Sequence, residues 1–170
     1  MAKNELCVID FDGLYARHAR DVFRFALSLS GNRAMAEDIT SETFVRVWSA
    51  RDRVDITTVI GYLMTIARHL YLEQFRDDHR RQSLDFDRED ATPGPHALAE
   101  GHAELEAVLA DLQTLAEPDR AALLMRAHDQ MSYEEIAAAL KISIGAAKVK
   151  VHRARRRLAE LRMSREGVSS

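Results

Sequence analysis

Ser143-Ile-Gly-Ala-Ala-Lys-Val-Lys-Val-His-Arg-Ala-Arg-Arg-Arg-Leu158 is a stretch with two incompatible faces. Ile144, Ala147, Val151, Ala154, Leu158 and, just beyond, Leu161 recur at steps of three and four, which makes one apolar stripe of a helix. Lys148, Lys150, Arg153, Arg155, Arg156 and Arg157 fall away from that stripe, and Val149, His152, Arg153 and Arg156 lie nearest its opposite pole. No acidic residue occurs between Ser143 and Ala159. Such a helix docks by its apolar stripe and presents cations outward, an arrangement that suits a nucleic-acid groove or plain solvation.

The residues before it separate those readings. Ser132-Tyr-Glu-Glu135 has the S-x-x-E spacing of a capping box, in which the Ser hydroxyl accepts from the Glu135 amide and the Glu135 carboxylate reaches back to the Ser132 amide. A helix therefore starts there, with Ile136, Ala137 and Leu140 as its inner face, and Ser143 can cap the basic helix after a short turn. Two short helices joined by three or four residues, the second one basic, make a helix-turn-helix. Lys141 sits where that turn favours Gly, at a cost of about 1 kcal/mol for a left-handed backbone.

The chain has 170 residues, 46% of them apolar, enough for one ordinary core or two small ones. Seven Gly and three Pro argue against a turn-rich sheet protein and for an all-α fold. The net charge is −3, so the whole chain is no polycation, but the charge is segregated. Residues 82–111 carry a balance of −7 and residues 141–162 a balance of +7. A positive patch on a mildly acidic protein suggests DNA binding that needs a partner. The opposite signs also make an electrostatic contact of 82–111 with 148–157 an expectation, with Asp85, Asp87, Glu89 and Asp90 as its acids. A lone Cys7 excludes an internal disulfide and any all-Cys metal site. The seven His show no pair at helical i, i+4 spacing, no metal or cofactor is implied, and a helical metalloenzyme is a poor reading. No apolar run is long enough to span a membrane and residues 1–10 lack a signal-peptide core, so a cytoplasmic protein is expected.

Taken in order, periodicity predicts helices over 11–30, with Gly31-Asn32 as a stop, and over 33–50. A third spans 58–81, with Ile60, Leu63, Ala67, Leu70, Tyr71 and Gln74 inward. Tyr62, Thr65, His69, Glu73, Arg76 and Arg80 share its outer strip, where planar groups can stack on bases and cations hold phosphates, or which is an ordinary polar face. Residues 82–96 read as a flexible acidic linker, broken by Ala91-Thr-Pro-Gly-Pro95. Helical pattern returns from Leu98 through Leu105, Val108, Leu109, Leu112 and Leu115 and stops near Glu117-Pro118; another helix covers 119–128, and 164–170 reads as a frayed tail. Two small helical domains thus flank a tether, the second ending in the helix-turn-helix.

Ala36-Glu-Asp-Ile-Thr-Ser-Glu-Thr-Phe-Val-Arg-Val-Trp48, Tyr62-Leu-Met-Thr-Ile-Ala-Arg-His69, Ser132-Tyr-Glu-Glu-Ile-Ala137 and His152-Arg-Ala-Arg-Arg-Arg-Leu158 resemble successive landmarks of the bacterial extracytoplasmic-function (ECF) RNA polymerase sigma factors. The resemblance covers 11–161 and divides the chain into sigma region 2 (1–81), a linker (82–96) and sigma region 4 (97–170). It implies a protein without catalysis of its own that binds core RNA polymerase and directs it to promoter DNA. Region 4 would read the minus-thirty-five element and sit on the second-largest subunit. Region 2 would dock on the coiled coil of the largest subunit and help open the minus-ten element.

By the same resemblance, Asp38, Ser41, Glu42 and Arg46 are the polymerase-binding candidates and Tyr62 and His69 the minus-ten candidates, which Thr65, Glu73 and Arg76 join from the same outer strip. Lys148, Val149, His152 and Arg153 match base-facing positions at the minus-thirty-five element, and Lys150, Arg155 and Arg156 fall to phosphates. Thr40, Ser41, Tyr62, His69, Ala146 and Ala147 depart from the residues usual in the family. A cognate anti-sigma factor is implied as a further partner. The alternative is a stand-alone helix-turn-helix regulator binding two-fold operators without polymerase.

Overall fold

The computed structural model describes residues 11–50, 58–84, 100–127 and 131–168. Among these there are seven α-helices and no strand. The first is α1, Phe11–Ser30, which buries Leu14, Val22, Phe25, Ala26 and Leu29 along one stripe. Gly31 ends it in the left-handed conformation (φ 66°), its amide donating to the Leu27 carbonyl at 2.8 Å. Asn32 then begins the next helix, its Oδ1 accepting from the Met35 amide at 2.9 Å. That helix, α2 (Arg33–Ala50), buries Ala36, Ile39, Phe44 and Val47. Its buried Thr40 and Thr43 hydroxyls are satisfied by the carbonyls four residues back, at 2.7 and 2.6 Å. Helix α3, Val59–Leu84, lays Ile60, Leu63, Met64, Ala67 and Leu70 on both.

The second half comprises α4 (Glu100–Gln113), α5 (Glu117–Ala127), α6 (Tyr133–Leu140) and α7 (Ile144–Val168). Three boundaries and the burial of one residue differ from expectation. Three residues assigned to the linker, Gln82, Ser83 and Leu84, extend α3, and Ser83 Oγ donates to the Arg80 carbonyl at 2.9 Å. The remaining linker residues lie outside the described residues, as do Cys7 and the acids Asp85, Asp87, Glu89 and Asp90. Glu117-Pro118 opens α5 instead of closing α4, because a proline in the first helical turn gives up only an amide that has no partner there. The expected tail is helical through Val168, held by Arg162 to Glu166 at 3.0 Å, by Ser164 Oγ to the Glu160 carbonyl and by an Arg165–Asp111 ion pair. Ile144, placed on the apolar stripe, is 42% exposed, because the first residue of α7 projects past the helices that the rest of the stripe meets.

The two halves share one core. Leu14, Phe25, Phe44, Leu63 and Leu70 belong to the same buried cluster as Ala121, Met125, Met131, Ile136 and Val151. Fully burying a side chain of this size stabilises by about 1.5–3 kcal/mol, so the halves are joined by packing as well as by chain. Polar contacts fix the orientation. Arg120, 4% exposed, donates to the Leu112 and Leu115 carbonyls at the end of α4 and to the Tyr71 hydroxyl of α3 at 3.1 Å. Gln113 Nε2 reaches the Ser28 carbonyl at 3.2 Å, and a Cβ on Gly31 would press on its side chain at 3.1 Å.

Candidate nucleic-acid interface

The second half positions a cationic helix by caps at both of its helix-turn-helix starts. Ser132 accepts from the Glu135 amide at 3.2 Å while Glu135 Oε2 accepts from the Ser132 amide at 2.6 Å, so the capping box is complete. Lys141 ends α6 at φ 55°, and Ser143 Oγ accepts from the Ala146 amide at 3.1 Å to start α7. Ala147, Val151 and Ala154 of α7 are buried, with Leu158 and Leu161 at the edge of the contact. Their small size lets α7 lie close on α5 and α6.

Opposite that seam Lys148, Val149, His152, Arg153, Arg155 and Arg156 line the outer side of α7, all of them exposed. The structure thus gathers six of the seven minus-thirty-five candidates on one open surface. Lys148 also lies 5.7 Å above the Tyr133 ring, a cation–π contact that ties the start of α7 to α6. Lys150 differs. Its side chain is only 21% exposed and its Nζ stands 3.4 Å from Asp119 Oδ1. Arg153 meets the same carboxylate, Nη2 to Oδ1 and Nε to Oδ2, both at 3.1 Å. The described acids of α4 are not paired with 148–157 in this arrangement; Asp111 pairs with Arg165 farther along α7.

On α3, Tyr62 and His69 line a groove with Glu42, Val45, Arg46, Ser49, Ala50 and Ile66, formed where α2 crosses α3. Burial holds the Tyr62 hydroxyl above its ordinary 10.0. Burial also lowers His69 from 6.5, with the charges of Arg68 and Lys141 adding to the effect. The imidazole is therefore neutral near pH 7, one nitrogen donating and the other accepting. Thr65 is less available, since its Oγ1 donates to the Gly61 carbonyl at 2.7 Å. Glu73 and Arg76 lie farther along, Arg76 exposed and its Nε donating to the Leu72 carbonyl at 3.1 Å.

Asp38, Ser41, Glu42 and Arg46 line a second groove with Val45, Leu70, Glu73, Gln74 and Asp77. Arg46 bridges Glu42 at 3.2 Å and Glu73 at 3.0 Å, and the Glu73 hydrogen bond chiefly holds its guanidinium pKa above the ordinary value. Glu73 therefore belongs as much to this acidic groove as to the minus-ten strip.

Residues 14–81 match the Sigma-70 region 2 family, and residues 105–158 match Sigma-70 region 4. RNA polymerase sigma factor CarQ of Myxococcus xanthus is 35% identical over 153 residues, covering 89% of this chain and 88% of that protein. ECF RNA polymerase sigma factor SigL of Mycobacterium tuberculosis is 30% identical over 149 residues, covering 85% and 84%. The chain belongs to the ECF RNA polymerase sigma factors.

ECF RNA polymerase sigma factor SigE of Mycolicibacterium smegmatis is 35% identical, and the chain spans 60% of its length. Among solved structures, sigma factor RpoE in complex with the anti-sigma factor NepR from Bartonella quintana superposes with a TM-score of 0.75 at 28% identity, over 91% of this chain and 97% of that one. CnrH in complex with the cytosolic domain of CnrY does so with a TM-score of 0.68 at 26% identity, over 91% and 88%. In this sigma factor, region 2 falls on α1 to α3 and region 4 on α4 to α7. Asp119, the carboxylate that holds two cations of α7, is a residue that sequence reading missed. It stands 34 positions from Arg153 in the chain, and no local periodicity links the two.

Proposed function

We propose that this chain binds core RNA polymerase and directs it to promoters, with α7 in the major groove of the minus-thirty-five element. Lys148, Val149, His152 and Arg153 face base edges there, and Lys150, Arg155 and Arg156 serve phosphates, which fix register more than sequence. Tyr62, Thr65, His69, Glu73 and Arg76 meet the minus-ten element, where an extruded base needs a pocket; the groove between α2 and α3 supplies one of suitable chemistry. Asp38, Ser41, Glu42 and Arg46 form the contact with the largest polymerase subunit. The chain performs no catalysis itself and works in the cytoplasm. Among the described residues, no helix is long and apolar enough to cross a membrane.

The observation that carries this reading is the exposed cationic pole of α7, presented by a capped helix-turn-helix, on a chain that also contains region 2. A stand-alone regulator does not account for region 2. The anti-sigma factors bound to the RpoE and CnrH relatives support a partner of that kind here.

As their names imply, the two promoter elements are centred about 25 base pairs apart, roughly 85 Å of duplex at about 3.4 Å per pair. Helix α7 is 25 residues long, about 37 Å, and α6, which leads into it, meets the start of α3 through Glu135 and Thr58. The packed arrangement is too short to hold both elements, so promoter binding requires the halves to part. Transcription from a promoter library by sigma-free core polymerase plus this chain tests the function. Occupancy of palindromic duplexes without polymerase, and no transcription with it, would sink it.

A further inference from the structure

The α5–α7 seam contains one carboxylate that packing alone does not require. Asp119 is 9% exposed, sits in the first turn of α5, and receives two cations from α7. The positive end of α5 favours its charge there. Arg153 donates one of its five N–H groups to the carboxylate, Nη2 to Oδ1 at 3.1 Å, and its Nε stands 3.1 Å from Oδ2 as an ion-pair contact. The hydrogen bond and the ion-pair contact beside it together restrain the guanidinium. Its other N–H donors, two of them on Nη1, belong to a side chain that is still 59% exposed.

We propose that Asp119 is a positioning residue for promoter readout: it fixes the Arg153 guanidinium so that its free edge meets one base pair in a single orientation. The inference rests on the reading that α7 enters the major groove. An unheld arginine on an open surface samples many rotamers and finds phosphates as readily as bases. A held one meets the groove edge already oriented, so little freedom is lost on binding. Lys150 shares the same carboxylate, which offsets part of the charge it offers to the phosphates. Asp119 thus subtracts non-specific attraction while adding discrimination.

The two effects have opposite signs, and a merely structural ion pair would not separate them. The test uses Asp119→Asn, Asp119→Glu, Arg153→Ala and the Asp119→Asn/Arg153→Ala double variant, each reconstituted with sigma-free core polymerase. Promoter duplexes randomised through the minus-thirty-five element are selected by binding and sequenced, and capture of core polymerase reports folding. Affinity of each chain for random-sequence duplex is measured against salt. For Asp119→Asn, preference at one base pair should fall about tenfold, and binding to random duplex should rise with a steeper salt dependence. Asp119→Glu, which keeps the charge but displaces the fork by one methylene, should lose the same preference without the gain. Arg153→Ala should lose preference at that base pair, and the double variant should lose no more. Uniform loss across all sequences, unchanged preference in both Asp119 variants, or additive losses in the double variant would overturn the inference while leaving the groove reading in place. Unchanged preference in Arg153→Ala would overturn the groove reading itself, and this inference with it.

Discussion

Arg68 of α3 and Glu117 of α5 meet across the boundary between the two halves as a two-pronged ion pair, Nε to Oε1 at 2.8 Å and Nη2 to Oε2 at 2.9 Å. Their side chains are 14% and 19% exposed, so water screens the pair only weakly. Removing one partner strands the other charge at a largely dry seam. Arg68→Ala should therefore cost about 2–4 kcal/mol of stability, somewhat below the full cost for a completely buried pair. It should also increase the radius of gyration measured by solution scattering. Arg68→Glu with Glu117→Arg restores opposite charges and should recover most of the loss. An unchanged melting temperature and radius in Arg68→Ala would mean that the halves do not meet through this pair in solution.

A second contact couples the halves through the helix-turn-helix itself. Glu135 closes the capping box with one oxygen and with the other accepts from Thr58 Oγ1 at 2.6 Å, at the start of α3. Burial alone would raise the Glu135 pKa, but the hydrogen bonds from Thr58 and Ser132 outweigh it and leave it below 4.5. A carboxylate lowered on folding adds stability that is present above its unfolded value and lost as pH falls through the folded one. Glu135→Gln should cost about 1 kcal/mol at pH 7, as other cap losses do, and the difference from the unsubstituted chain should shrink below about pH 4. Thermal melts across pH check both statements.

What the sequence disclosed was whatever neighbours in the chain decide. The Ser132–Glu135 box, the Gly31 stop, the Ser143 cap and the outward set from Lys148 to Arg156 each follow from spacings of three or four residues. The seam between the halves was not legible, because Arg68 and Glu117 stand 49 residues apart and Thr58 and Glu135 stand 77 apart. Periodicity marks an apolar face without saying what covers it. Pro118 misled for a related reason: a proline that ends one helix and a proline that starts the next look alike until an amide count is known. Asp119 was hidden in the same way, one acid in an ordinary first turn until the fold laid two cations of α7 against it.

The histidines give a pH response in a different window. His18 and His69 are both lowered from 6.5, chiefly by burial, and His18 Nδ1 is buried without a hydrogen-bond partner. The unfolded chain therefore binds protons more readily than the folded one, and stability rises with pH through this range. As pH falls from about 6.5 through the folded values, stability should decline, well before Glu135 begins to titrate. His18→Leu should flatten the decline in melting temperature between about pH 7 and 5 without disturbing the slope below about 4. His69→Asn should flatten it too, and should change minus-ten preference in transcription from a promoter library while core-polymerase affinity is kept. A polymerase-binding defect in His69→Asn would assign that residue to the scaffold instead.

Lys141 is the one described non-glycine residue with a positive φ, 55°, and it ends α6 with its amide shared between the Ala137 and Ala138 carbonyls. A left-handed backbone crowds a Cβ against the following carbonyl, at about 1 kcal/mol, and glycine is free of that contact. Glycine also gives the unfolded chain more freedom, which offsets part of the gain. The strain is local and its relief leaves every cap in place, so Lys141→Gly should raise stability by a few tenths to about 1 kcal/mol. Removing the Lys141 charge should at the same time let the His69 pKa rise toward its ordinary value, because that charge is one of the groups holding it down. Nuclear magnetic resonance titration of His69 reads the second effect separately from the first. A more stable variant with an unmoved imidazole would place the turn farther from α3 than the packed halves require.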